Sequence, residues 1–154
     1  MPHRLVVLLL AGALVLTLSA CDDAPGVAPP AQPPVLLDLA YSPDSVNADS
    51  LEPARVTDST VTADLRIVTA AEDPDGPIDR VVFTIEPASV PDGAIEGTLP
   101  PIPDEPTLYG TVIELTLPRV DEIYTIRTYA IDQDSLLSNV ALGQIRVIPA
   151  RPAP

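Results

Sequence analysis

Val61-Thr62-Ala63-Asp64-Leu65-Arg66-Ile67-Val68-Thr69 alternates apolar or small side chains with polar ones. That period of two predicts a half-buried strand, one face packing inward and the other carrying Asp64 and Arg66. Working outward, Asp73-Pro74-Asp75-Gly76-Pro77 reads as a turn. A second strand follows, with Val81, Phe83 and Ile85 on one face and Arg80, Thr84 and Glu86 on the other. Ile113, Leu115 and Leu117 then alternate with Glu114 and Thr116, and Tyr124 to Ala130 and Val140 to Ile148 supply two more strands. Gly143 is expected to mark a bulge, because Val140/Leu142 and Ile145/Val147 fall out of register across it. Val35 to Tyr41 opens the set, and the Pro-rich stretch Pro87 to Pro106 has room for a short edge strand or a loop. Six or seven short strands with no helical segment among them predict an all-β antiparallel sandwich over residues 35–149.

Ahead of this lies a different kind of sequence. Arg4 precedes Leu5 to Leu18, an apolar run broken by Gly12 and Thr17. At about 14 residues it is shorter than the roughly 20 needed to span a bilayer, and it has the length of a signal-peptide helix. The run closes on Leu18-Ser19-Ala20-Cys21, which resembles the lipobox of bacterial lipoproteins. The resemblance implies cleavage before Cys21, with the thiol taking a diacylglycerol by thioether formation and the mature protein held at a membrane of the cell envelope. The lone cysteine of the chain sits at the one position this requires.

Asp22 and Asp23 follow at once, and two readings stand for them: an inner-membrane retention signal of the enterobacterial kind, or the solvated start of a linker. Which membrane holds the anchor stays open between them. Ala24 to Pro34 contains five prolines in eleven residues and predicts a polyproline II arm. At about 3.1 Å per residue, residues 22–34 would hold the domain up to about 40 Å from the lipid surface. The expected organisation is therefore signal peptide over 1–20, lipidated cysteine and linker over 21–34, sandwich over 35–149 and a tail over 150–154.

Composition narrows the function. The 154 residues include 22 carboxylates, eight arginines and no lysine, for a net charge of −14. Removal of Arg4 with the leader leaves seven arginines against 22 carboxylates, a side-chain charge of −15. Such a surface repels phosphate backbones, which argues against a nucleic-acid partner. Two readings stand for the acidity: adaptation to high salt, or plain compositional drift. Past His3 there is no histidine, and the one thiol is assigned to lipid, so His-based triads and thiolate zinc sites are excluded. A glycosidase carboxylate pair needs a pocket with aromatic platforms, whereas this chain has five aromatics and no tryptophan. No Gly-rich phosphate loop is present. The protein is read as a non-enzyme.

Leu117-Pro118, a short gap, Tyr124-x-Ile126-x-Thr128-x-Ala130-x-Asp132 and then Ser138-Asn139 are similar to the passage through the last three strands of fibronectin type III and related bacterial immunoglobulin-like domains. The resemblance implies a sandwich of about seven strands in which the Tyr124 hydroxyl bonds back to backbone at a corner. It departs from the family in lacking the core tryptophan, and Phe83 is expected to fill part of that volume. It also implies that the turn carrying Asp73 and Asp75 shares one end of the sandwich with the turn carrying Asp132 and Asp134. Four carboxylates plus carbonyls would then supply much of a calcium shell, while the alternative is that each sequence is simply a favourable turn. No other cofactor is implied. The functional expectation is a lipid-anchored binding or adhesion module for a protein or glycan partner. The alternative is an architectural envelope component that spaces or tethers a larger complex.

Overall fold

The computed structural model describes residues 30–89 and 93–150. The signal peptide, Cys21, most of the proline arm and the last four residues of the tail lie outside the described residues. Within them the chain forms nine strands: β1 Val35–Ser42, β2 Ser45–Asn47, β3 Thr60–Glu72, β4 Ile78–Pro87, β5 Ile95–Leu99, β6 Pro101–Ile102, β7 Glu105–Pro118, β8 Glu122–Asp132 and β9 Ala141–Ile148. Two short 3-10 turns, Ala48–Ser50 and Pro53–Arg55, link β2 to β3. The strands make two sheets, one ordered β1-β3-β7-β6 and the other β2-β9-β8-β4-β5. All pairings are antiparallel except β2 with β9.

The alternation that starts at Val61 explains the core. Along β3, Val61, Ala63, Leu65, Ile67, Thr69 and Ala71 are buried while Asp64, Arg66 and Glu72 face solvent. Leu115 and Leu117 of β7 complete that inner face, and Val81, Phe83, Ile85, Tyr124, Ile126, Ala130, Ile145 and Val147 come from the other sheet. Packing these two apolar faces together is the favourable term that holds the sandwich. Phe83 is in the core as expected, and it lies over Gly97, where an added Cβ would sit 2.7 Å from its ring. Pro87 to Pro106 contains two edge elements: β5 pairs with β4, and the chain then crosses at Pro100 to the opposite sheet as β6.

Two details depart from the sequence reading. No bulge occurs at Gly143, because β8 and β9 pair in unbroken register from Glu122↔Val147 to Thr128↔Ala141. Gly143 itself faces inward with Ile145 and Val147, so Val140 and Leu142 are the outward residues and both are exposed. The glycine is required there because the Tyr41 ring occupies the place of its side chain: a Cβ would be 2.5 Å from a ring carbon. Register shifts fall instead in β1 between Leu36 and Asp38 and in β4 between Ile78 and Arg80. At the entrance, Pro34 is fully buried and the Gln32 N–H donates to Asp75 Oδ2 at 2.8 Å, so the last residues of the expected linker are held against the domain.

Candidate functional site

Strand pairing decides which loops share an end. Val35 of β1 pairs with Glu72 of β3, and Ile78 of β4 pairs with Asp132 of β8. The entry of the chain, the Asp73–Pro77 turn and the turn after Asp132 are therefore neighbours. There the expected aspartates serve backbone donors. Asp73 Oδ1 accepts from the N–H groups of Asp75 (3.1 Å) and Gly76 (3.2 Å), the arrangement that makes Asp-Pro-Asp-Gly a self-sufficient turn. Asp75 accepts from Gln32. Asp132 is buried, and its Oδ1 accepts from Leu136 N–H at 2.8 Å while Ser135 takes a positive φ of 66° in the same turn. Asp134 is exposed beside it. Among the described residues no group of three or more histidine, cysteine or acidic side chains is placed to hold a metal ion. Asp73, Asp75, Asp132 and Asp134 are thus brought to one end without being gathered into a calcium shell; the Asp73, Asp75 and Asp132 side chains accept from backbone N–H groups, and Asp134 is exposed.

The same end holds a shallow cleft of about 350 Å³ between Asp73, Pro77 and Ile78 on one side and Pro106, Thr107 and Tyr109 on the other. Burial raises the Tyr109 phenol above its ordinary pKa, so it is a neutral donor across the physiological range. The cleft offers the hydroxyls of Thr107 and Tyr109 and the carboxylates of Glu72 and Asp73.

Along one long side, polar side chains close the strand edges. Asn139 bonds both backbone groups of Leu36, its Oδ1 accepting from the N–H at 2.9 Å and its Nδ2 donating to the carbonyl at 3.1 Å. One amide thereby replaces a stretch of missing strand. Below it the Tyr41 hydroxyl accepts from Gln144 N–H at 3.1 Å, and Arg146 N–H donates to the Asp44 carbonyl at 3.0 Å before β2 takes over the edge of β9. The tyrosine hydroxyl bonded to backbone is therefore that of Tyr41. Tyr124 is buried, with its pKa raised by desolvation and then by Glu122, and among the described residues its hydroxyl has no hydrogen-bond partner. Neither Asn139 nor Tyr41 is singled out by sequence pattern as an edge-closing residue; the signal available was an amide set immediately before the final strand.

On the outer face of the five-stranded sheet, Arg127 approaches Glu86 at 3.6 Å, Arg80 pairs with its neighbour Asp79, and Arg146 grips Asp121 through two bonds of 3.0 and 2.9 Å. That fork holds the Asp121 carboxyl below its ordinary pKa. Among the described residues no helix is long and apolar enough to cross a membrane. Compared with known protein families and with curated proteins, the chain matches none.

Proposed function

We propose that this protein is a bacterial envelope lipoprotein, anchored through Cys21, whose immunoglobulin-like sandwich is a non-catalytic binding module displayed outside the cytoplasm. The observation that carries the anchor is the sequence Leu18-Ser19-Ala20-Cys21 at the close of a leader-length apolar run, in a chain with no other cysteine. Support for the immunoglobulin-like assignment comes from strand order. β1, β3, β7 and β6 stand in the order of the family's first, second, fifth and fourth strands, and β4, β8 and β9 in that of its third, sixth and seventh. The non-catalytic reading draws on composition: without histidine or a free thiol in the mature chain, the remaining groups lack the usual nucleophile and base partners.

Growth of expressing cells with labelled palmitate tests the anchor. The expected outcome is a labelled, leader-free protein in the membrane fraction and loss of label with Cys21→Ala. An unlabelled protein that keeps its leader would overturn the reading.

A further inference from the structure

The second long side of the sandwich is bounded by β7, and it is left open. β7 is 14 residues long and pairs with β3 from Leu108 to Pro118 without a shift. On its other flank β6 covers only the beginning, through Pro101↔Tyr109 and Ile102↔Glu105. The Gly110 N–H donates across that flank to the Pro100 carbonyl at 2.9 Å, which fixes the phase of the strand. Backbone groups alternate sides along a strand, so those of Val112, Glu114 and Thr116 point the same way as Gly110, away from β3. Among the described residues no strand lies opposite them.

Side-chain burial agrees with an open flank: Ile113 faces inward but stays partly exposed, whereas its partner Leu65 on β3 is 1% exposed. Val112 is 62% exposed. Neither proline nor bulge interrupts this edge from Thr111 to Leu117, which is rich in β-branched residues and carries one charge, Glu114. A regular row of unpaired N–H and C=O groups is complementary to the backbone of another extended polypeptide.

We propose that Val112–Thr116 of β7 is a docking edge that takes an extended, basic segment of a partner protein as an added strand of the four-stranded sheet. This rests on the binding-module reading and names its surface and partner chemistry. The charge of the partner follows from the residues beside the edge. Glu114 stands directly across from Asp64 in the β3–β7 register; Arg55, 3.0 Å from Asp64, and Arg66, two positions along the same face of β3, are the neighbouring cations. Like charges facing each other across a pair are unfavourable, and a lysine or arginine of an incoming strand would sit next to Glu114 and relieve them. A second copy of this chain would bring another −14 to the contact, so self-pairing is disfavoured.

The test uses the full-length chain in detergent micelles and three capped octapeptides: alternating valine and lysine, alternating valine and glutamate, and the lysine peptide N-methylated at alternate residues. The lysine peptide should slow amide exchange at Val112, Glu114 and Thr116 at least tenfold, with an affinity that falls as salt rises. Glu114→Pro should weaken it at least tenfold, because that N–H faces the open flank and the substitution removes no bond to β3. N-methylation should do the same with the protein unaltered, which keeps the test valid if Glu114→Pro fails to fold. Protection elsewhere, equal binding of the glutamate peptide, or a chain dimer abolished by Glu114→Pro would each overturn the proposal. These failures leave palmitate labelling of Cys21 untouched, and an unlabelled Cys21 leaves the peptide result untouched, so the two readings fail separately.

Discussion

The two long sides of the sandwich are built from similar strands and end differently. On the β1–β9 side a side-chain amide, a phenol, a loop carbonyl and the three residues of β2 occupy the edge groups one after another. On the β7 side, past Gly110, nothing among the described residues does so. The difference shows that closing a β-edge depends on a few polar atoms at the right height, not on the strand itself.

The largest test of the closed side is Gly143→Ala. Its Cβ would meet the Tyr41 ring at 2.5 Å, and relief of that overlap should cost about 2–3 kcal/mol in urea unfolding. In a Tyr41→Ala background the added cost should vanish; a cost that persists would show that the ring is not what excludes a side chain there. Next in size, Asn139→Ala should lose about 1–2 kcal/mol by leaving both groups of Leu36 without their partner, while Val112→Ala on the open side should stay within about 0.5 kcal/mol. Equal effects at the two positions would erase the contrast.

Between the two sides, Thr128 is fully buried and its Oγ1 has no hydrogen-bond partner among the described residues. Thr128→Val should therefore raise stability by about 1 kcal/mol, read as a higher melting temperature, and a decrease would mean that the hydroxyl has a partner. The smallest effect belongs to Asp121 at the surface beside β9. Its folded pKa is lowered, so the Arg146 pair contributes above the unfolded carboxyl value and its contribution is lost as pH falls through the folded one, in the region below about pH 4. Carboxyl NMR should show the Asp121 midpoint rise in Arg146→Gln, and salt should shrink the difference.

Much of the framework is legible in the sequence because inward residues repeat at every second position. β3, β4 and β8 announce themselves in this way, as do the turn residues Asp73 to Pro77. The expected bulge at Gly143 is absent: a glycine carries no side chain to declare its face, Gly143 itself holds the inward position, and apolar Val140 and Leu142 lie on the outer face. Val82 was also hidden: it lies on the face of Arg80 and Thr84 yet is buried beside its register partners Tyr129 and Thr98. The edge-closing contacts join residues far apart, Asn139 with Leu36 and Tyr41 with Gln144 each across 103 positions, so the amide set before the final strand is visible locally while its partner is not. The strand pairing puts the two aspartate turns at one end, but Asp73 and Asp132 accept from loop N–H groups within four residues of them and Asp75 from Gln32, and spacing does not report that.

β1 begins beside Glu72 at one end of the sandwich, while β9 finishes beside Asn47 at the other. Tension applied between Val35 and Ile148 is consequently directed lengthwise through the molecule. The parallel contact of Ser45, Val46 and Asn47 with Arg146, Val147 and Ile148 is then loaded in shear, so its bonds must yield together and cannot be peeled apart singly. These three pairings, made by the shortest strand of that sheet, thus act as a mechanical latch, out of proportion to their length.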